Sequence, residues 1–332
     1  MRNQPSRDLY RFRVPLFAFG LSLFATVLPA DAQPYPSNTI RIVVGSAAGN
    51  PPDIISRVIA NELGESEGWR MIVENKTGAI TTIGTAEVLR QPADGYTLAA
   101  IALPSSAARA LLPNVSFRLD TDFAPVIKLA TAYHVLVVHP SVPANSLAEL
   151  VSLLKRQPDR LTFSSGGFGT PAHLAGELFK LQTGVRATHV PYQALARAIA
   201  DLLNGTNHYQ FISPLPVLDL IATGKLRALA VTAPTRMAAL KDVPTVGEAG
   251  FPDLIIQDWF GFLVKSGTPK ELVLRLNEAT NKALAKPRVR EAIAKLAAEP
   301  AGGTPAEFES FLTSQIAHWE KVVKDSGIKM HE

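Results

Sequence analysis

The 332-residue chain contains no cysteine, so it can form neither a disulfide nor a thiolate metal site. Its 33 basic residues exceed its 29 acidic residues by only four, and they are scattered along the chain without an arginine-rich or aromatic-interleaved run. This pattern argues against a nucleic-acid-binding surface, and we expect no nucleic acid partner. Without disulfides the fold depends on its apolar core, and a chain of this length can build two domains of ordinary size.

The sequence also lacks the motifs of common catalytic sites. It has no G-x-S-x-G nucleophile turn, no H-E-x-x-H zinc pattern and no glycine-rich phosphate loop that ends in lysine. His, Asp and Glu residues do not recur at metal-ligand spacing. We therefore predict no catalytic residue, no metal and no cofactor. A hydrolase is the alternative, because seven histidines and many serines permit a triad in principle.

Long apolar runs are scarce, and the run near the N-terminus is too short to span a bilayer. It covers residues 14–28, and Pro15 and Gly20 interrupt it. Four arginines precede this run, and the small-residue sequence Ala30-Asp31-Ala32 follows it. We expect a secretory signal peptide over residues 1–32, cleaved after Ala32, and hence a periplasmic location.

The stretch Ile40–Leu63 predicts a buried strand, a small-residue loop and an amphipathic helix in direct succession. Residues 40–44 are rich in β-branched side chains, and residues 45–49 have almost no side-chain bulk. Asn50 and Pro51 are typical of a helix N-cap and first helical position. Open α/β sheets bind ligands at the carboxyl ends of their strands, so we expect a ligand loop here, although a purely structural turn has the same pattern.

Strand and helix patterns continue to alternate, which predicts an α/β protein with parallel sheets covered by helices on both faces. We expect a discontinuous first domain over residues 33–132 and 257–332, a second domain over residues 133–256, and two crossings near residues 132 and 256. Three helices at the C-terminus should return to the first domain. The expected strands after the first one are residues 71–74, 96–103, 135–138, 161–164, 186–190, 209–212, 226–232, 255–260 and 262–264.

Ordered motifs along the chain resemble the Bug family of extracytoplasmic solute receptors, the binding components of tripartite tricarboxylate transporters. They cover essentially the whole chain after residue 32. The motifs are DGYTL at 94–98, DFAPV at 122–126, VLVVHPSVPA at 135–144, FSSGGFGTPAHLAGELF at 163–179, HVPY at 189–192, KLRALAVT at 225–232, DVPTVGEAGFP at 242–252 and WFG at 259–261.

The resemblance implies a type II periplasmic binding protein-like fold, in which two α/β domains enclose a ligand cleft. It further implies a monomeric receptor that captures a small organic carboxylate for a membrane permease of the tripartite tricarboxylate type. A ligand sensor that signals to a membrane kinase would use the same fold. The sequence leaves that alternative open.

The residues and the resemblance both place the ligand at the strand-end loops. These loops contain no Lys or Arg, so an anion there depends on hydroxyls and on amides at helix starts. Thr170 could serve as a donor or only as a helix cap, and Trp259 could line the cleft or pack at the hinge. The expected ligand-binding residues are Ser46, Ala47, Gly49, Ala79, Ile80, Ser105, Ser164, Ser165, Gly169, Thr170, Tyr192 and Ser213.

Three departures from the family pattern affect the expected site. Pro51 and Pro52 replace glycines, so two amide donors are missing from the first helix start, unless the prolines only stiffen it. Ile80-Thr81 replaces a glycine pair, and Ile212 stands where an acidic residue is common. We therefore expect the loop from Ser164 to Thr170 to bind the carboxylate, and a ligand with an apolar body.

Overall fold

The computed structural model describes residues 35–328, so the predicted signal peptide and its cleavage after Ala32 lie outside the described residues. Within this range the chain alternates strands and helices. The strands are β1 (Ile40–Val44), β2 (Met71–Asn75), β3 (Thr97–Ala102), β4 (Phe123–Tyr133), β5 (Val135–Val138), β6 (Thr162–Ser165), β7 (Thr188–Pro191), β8 (Tyr209–Ile212), β9 (Arg227–Val231), β10 (Gln257–Lys265) and β11 (Ala298–Pro300). The helices are α1 (Pro51–Glu67), α2 (Thr82–Leu89), α3 (Leu103–Leu111), α4 (Leu147–Arg156), α5 (Pro171–Thr183), α6 (Leu195–Leu203), α7 (Leu218–Ala222), α8 (Lys270–Leu284), α9 (Pro287–Ala294) and α10 (Pro305–Ser326).

The strands form two sheets. The first has the order β11-β4-β10-β3-β1-β2 and the second the order β7-β6-β8-β5-β9. In the first sheet β1 pairs in parallel with β2 and β3, whereas β10 is antiparallel to β3 and β4. In the second sheet β6 is parallel to β7 and β8, and β5 is antiparallel to β8 and β9. The α/β class is confirmed, but both sheets are mixed rather than purely parallel.

Two connections link the sheets, one from β4 to β5 and one from β9 to β10. We call residues 35–133 and 257–328 the first lobe and residues 135–255 the second lobe. The described residues form a single compact unit by their contacts, so the expected domain boundaries stay a prediction. No helix among residues 35–328 is both long enough and apolar enough to cross a bilayer.

Helix α1 shows how the local sequence determines the fold. Asn50 has extended backbone (φ −76°, ψ 157°), two prolines begin the helix, and Gly68 ends it in the left-handed conformation (φ 70°). The side chains of Ile55, Ile59 and Leu63 are buried against β1 and β3 as one apolar face. The helix therefore begins directly at the carboxyl edge of the first sheet.

Strand β4 was not expected from the sequence. Pro125 has no amide to donate, and the pairing of β4 with β10 is irregular near Leu263, where a register shift occurs. The strand-like segments 255–260 and 262–264 form one strand instead of two, continuous through Gly261. A side chain at Gly261 would meet Phe308 of α10, since an added Cβ would lie 2.2 Å from its Cζ.

The C-terminal segment is not purely helical, because it includes the short edge strand β11, which pairs with β4. Helices α8 and α9 pack against α1 of the first lobe. Helix α10 contacts α3 and β4, but it also contacts α5 of the second lobe. One apolar cluster accordingly includes residues of both lobes and of α10.

Candidate functional site

The carboxyl edges of the two sheets meet. Strands β1, β2 and β3 end at the edge of the first sheet from which the chain crosses to β5, and β6, β7 and β8 end at the corresponding edge of the second. Gly169, after β6, contacts Ile80, after β2: an added Cβ on Gly169 would lie 2.7 Å from Ile80 Cδ1. We call the space between these edges the cleft. It lies where α/β folds bind ligands.

A single threonine joins the two connections beside the cleft. The hydroxyl of Thr232 donates to the carbonyl of Ile256 (2.9 Å) and accepts from the amide of His134 (2.9 Å). The backbone of Thr232 also bonds to both segments, since its amide donates to His134 O (2.8 Å) and its carbonyl accepts from Ile256 N (3.3 Å). The two crossings are therefore held together at one residue.

The first-lobe loop, residues 45–50, is fixed by a buried carboxylate. Asp53 accepts from the Gly49 amide (2.9 Å), from Arg57 Nε (3.0 Å) and from Asn75 Nδ2 (3.0 Å). Burial alone would raise the pKa of Asp53, but these hydrogen bonds and the Arg57 charge outweigh it and lower the pKa below its usual value. Asn75 also donates to the carbonyl of Ser46 (3.0 Å), so the loop is tied to β2.

The start of α1 offers few free amides. Pro51 and Pro52 have no N–H, and the amides of Asp53 and Ile54 both donate to Asn50 O (2.9 and 3.1 Å). The charge at this helix end is balanced by the protein's own carboxylate, because Asp53 lies in the first turn. By contrast, the hydroxyl of Ser46 is enclosed and has no hydrogen-bond partner within residues 35–328.

The start of α3 is balanced in the same way by Asp258, the second residue of β10. Its carboxylate accepts from the amides of Leu103 and Trp259, the latter at 3.0 Å. Burial raises the pKa of Asp258 to about 7, and the two amides offset part of that rise. Nearby, the hydroxyls of Thr81 and Ser105 lie 2.9 Å apart. Asp258 could not be recognised as a helix-start partner from sequence, since Leu103, whose amide it accepts, is distant in the chain.

The second-lobe loop, residues 164–170, bonds mainly to itself. Ser165 Oγ accepts from the Gly167 amide (3.1 Å) and lies 2.7 Å from His189 Nε2. Thr170 Oγ1 donates to Gly167 O (2.7 Å) and accepts from the His173 amide (3.4 Å), so Thr170 caps α5. The Gly169 amide donates to His173 Nδ1 (3.1 Å). The hydroxyls expected to bind a ligand are thus already hydrogen-bonded within the lobe.

Four aromatic rings pack together at this loop, and sequence reasoning missed them as a group. The rings of His173 and His189 lie 4.2 Å apart between centroids, with Phe163 4.8 Å from His189 and Phe168 edge-on to both histidines. Burial lowers the pKa of His173 to about 4 and that of His189 to about 3, and the nearby charge of Lys180 lowers both further. Both imidazoles are therefore neutral near pH 7.

Several expected cleft residues have other contacts. The Tyr192 hydroxyl donates a hydrogen bond to the Asp201 carboxylate (2.8 Å). Ser164 is buried, and its hydroxyl donates to Gln210 Oε1 (3.3 Å). Ile212 is only 2% exposed and packs in the apolar core of the second lobe, so the expectation that it would contact the apolar part of a ligand is not supported. Trp259 is fully buried against Phe308 and Phe311 of α10, and so packs inside the first lobe rather than lining the cleft.

Other expected residues do lie at the cleft edges, where they are partly or fully accessible. Ser46, Ala47 and Gly49 follow β1, Ala79 and Ile80 follow β2, and Ser213 follows β8. The segment Ala79-Ile80-Thr81 has left-handed backbone throughout (φ 44°, 49° and 71°). A β-branched side chain in that conformation costs on the order of 1–2 kcal/mol, so the surrounding contacts must hold this loop in place.

A two-sheet α/β fold whose strand edges meet at a cleft defines a protein of the periplasmic solute-binding class. Residues 55–328 match the family described as tripartite tricarboxylate transporter family receptor, and the chain belongs to that family. Protein BugT of Bordetella pertussis is 33% identical over 304 residues, which cover 91% of this chain and 93% of BugT. The resemblance to the Bug family is thereby confirmed.

Solved structures agree with this assignment. The R. palustris protein Rpa4515, solved with adipate, is 34% identical, has a TM-score of 0.77 and is matched over 89% of this chain and 99% of its own. MatC of Rhodopseudomonas palustris, solved with malate, is 30% identical, has a TM-score of 0.75 and is matched over 87% of this chain and 100% of its own. The chain is therefore a solute-binding receptor of the carboxylate-transporter type in both fold and family.

Proposed function

We propose that this receptor binds a small dicarboxylate in the cleft and delivers it to a membrane permease of the tripartite tricarboxylate type. The observation that carries the proposal is the meeting of the two carboxyl edges at Ile80 and Gly169 in a chain of this receptor family. The relatives solved with adipate and malate support the dicarboxylate class.

The proposed donors are uncharged. The enclosed hydroxyl of Ser46 has no partner among the described residues, and the paired hydroxyls of Thr81 and Ser105 lie at the same edge of the first sheet. Ser213 extends the set from the second lobe. A carboxylate that leaves water needs several such donors together, since each neutral hydrogen bond contributes only about 0.5–1.5 kcal/mol net.

The alternative function, a serine hydrolase, can be compared directly with the geometry of Ser165 and His189. Ser165 and His189 form a close hydroxyl–imidazole pair (2.7 Å), as a nucleophile and base would. Ser165 is fully buried, however, and the lowered pKa of His189 makes it a weak base at neutral pH. His189 Nδ1 has no partner within residues 35–328 that could orient the ring. We propose that the pair stabilises the loop and that the protein is not an enzyme.

A thermal-shift screen of mono- and dicarboxylates, followed by native mass spectrometry of the purified protein, tests the proposed function. At about 100 times the dissociation constant, a ligand that binds only the folded state adds about 2.7 kcal/mol of stability. We expect at least one dicarboxylate to give a clear shift. If no carboxylate shifts the melting temperature while an ester substrate is hydrolysed, the enzyme alternative replaces the receptor.

The partner, oligomeric state and processing are separate proposals. We propose a monomer that docks to a permease rather than to a sensor kinase. A membrane permease encoded beside this gene would support that choice, and a sensor kinase in its place would contradict it. We also propose export with cleavage after Ala32. The intact mass of the exported protein should then begin at Gln33, and a mature form that retains residues 1–32 would refute the cleavage.

A further inference from the structure

Ile80 reaches across the cleft from one lobe to the other. Its side chain lies on Gly169, where an added Cβ would lie 2.7, 3.0 and 3.1 Å from three of its carbon atoms. It is half-buried and packs against the apolar cluster that includes residues of both lobes. The two cleft edges are therefore in direct contact at this point, and the contact is apolar.

The loop that carries Ile80 is held firmly. The amide and hydroxyl of Thr82 both donate to the carbonyl of Ala79 (3.1 and 2.7 Å), and Thr81 bonds to Ser105 of α3. Thr81 also packs on Gly45, where an added Cβ would lie 2.6 Å from Thr81 Cβ. The backbone that carries Ile80 is therefore held both to the loop after β1 and to α3.

Gly169 leaves the space that the Ile80 side chain occupies. Its backbone is left-handed (φ 71°), which favours glycine, and any side chain there would overlap Ile80. A ligand between the lobes must either lie to one side of the Ile80–Gly169 contact or displace it. The four side-chain carbons of Ile80 thus occupy cleft volume that a longer ligand would need.

We propose that Ile80 sets the length limit of the ligand, so that the cleft accepts short dicarboxylates and excludes longer ones. The proposal rests on the function proposed above, and it names the residue that determines ligand length. Replacing Ile80 by glycine should open the Ile80–Gly169 contact without disturbing the loop, because glycine accepts left-handed backbone readily. The variant should therefore fold, and a thermal melt verifies this.

Titration calorimetry with linear dicarboxylates from malonate to suberate tests the proposal in the wild type and in Ile80→Gly. We expect the wild type to bind the shorter members best. In Ile80→Gly the optimum should move to longer members, and room for two more methylene groups should change the long-to-short affinity ratio about tenfold. Ile83→Ala is the control, because Ile83 lies in the same segment but is 52% exposed, and the ratio should not change.

A double-substitution cycle sharpens the result. Gly169→Ala adds a methyl group in strained backbone, and in the wild type that methyl also overlaps Ile80. The loss of dicarboxylate affinity should therefore be smaller in the Ile80→Gly background. An unchanged length preference in Ile80→Gly, with binding retained, overturns the proposal for Ile80 while the receptor function stands. Absence of dicarboxylate binding in both proteins overturns the receptor proposal and this one together.

Discussion

The two edges of the cleft satisfy their helix starts by different chemistry. In the first lobe a carboxylate accepts the free amides, with Asp53 at α1 and Asp258 at α3. In the second lobe neutral groups do so, with Thr170 and His173 at α5. A helix end is an attractive place for an anion, and at α1 the first lobe supplies that anion itself through Asp53. A loop that contains no Lys or Arg can therefore still have its helix-start amides occupied by the protein's own carboxylate instead of a ligand's.

Lowering the pH should reveal the largest difference between the two edges, through its effect on the free energy of unfolding. Burial lowers the pKa of His173 to about 4 and that of His189 to about 3, whereas an unfolded histidine titrates near 6.5. The unfolded chain then binds more protons below pH 6.5, so stability is complete above that pH and falls as the pH drops towards 4. The slope is about 1.4 kcal/mol per pH unit for His173 and less for the partly exposed His189.

Urea unfolding of the wild type and of His173→Gln between about pH 7 and pH 5 measures this slope. Glutamine keeps an acceptor for the Gly169 amide and does not titrate, so the variant should lose less stability in acid. Lys180 and Glu177 surround the two rings and are unchanged in this comparison. His139→Gln, directly after β5 and outside the cluster of rings, is the matched control substitution. Equal slopes in wild type and His173→Gln would contradict the proposed role of the neutral ring.

Removing the carboxylate of the first edge should give the next largest effect. Asp53→Ala leaves the Gly49 amide and Asn75 without their acceptor, which we expect to lower the free energy of unfolding by about 2 kcal/mol. Arg57→Ala should cost less than about 1 kcal/mol, because Arg57 is half exposed and its ion pair is screened by water. Chemical denaturation compares the two. A larger loss in Arg57→Ala would mean that the ion pair, rather than the amide bond, fixes the loop.

Asp258 should make the free energy of unfolding depend on pH in the opposite direction to the histidines. Burial raises its pKa to about 7, above the value near 3.9 of an unfolded aspartate. Its contribution to stability is therefore complete below about pH 4 and is lost as the pH rises to 7. Asp258→Asn keeps an acceptor but cannot take up this proton, so its free energy of unfolding should fall by about 2 kcal/mol relative to the wild type on acidification from about pH 7 to pH 5. An identical acid profile would show that Asp258 is ionised throughout.

The smallest effect should come from the two prolines of α1. Glycine at both positions restores two amides, but Asp53 already balances that helix end, so we expect the affinity for a bound dicarboxylate to change by less than about threefold. Calorimetric titration of the double variant Pro51→Gly, Pro52→Gly measures it. A tenfold gain would instead restore the view that the prolines remove ligand donors. The preference of the carboxylate for residues 164–170 stays a prediction.

The elements with local signals were the ones that sequence could locate. Strand β1, the start of α1 at Pro51 and the cap of α5 at Thr170 all depend on neighbouring residues, and each lies where the sequence predicts it. Strand β4 was missed because Pro125 and its register shifts hide the alternation that marks a strand.

The candidate site was harder to predict than the fold. The residue types and loops were accessible from sequence, but their hydrogen-bond partners were not. Ser165 meets His189 from a neighbouring strand, and Asp258 meets the start of α3 after a return from the second lobe. Such contacts depend on tertiary packing and leave no periodic pattern in the chain. Hydrogen bonds within the protein therefore determine which of the expected donors remain available to a ligand.

The bonds of Thr232 constrain how the cleft can open. One hydroxyl joins His134 on the first crossing to Ile256 on the second, so we expect the two segments to move together when the cleft opens. We therefore expect the lobes to bend about this point and to resist twisting against each other. Thr232→Val removes both side-chain bonds, so spin-label distances across the cleft should spread in more than one direction, and an unchanged distribution would show that the backbone bonds alone define the axis.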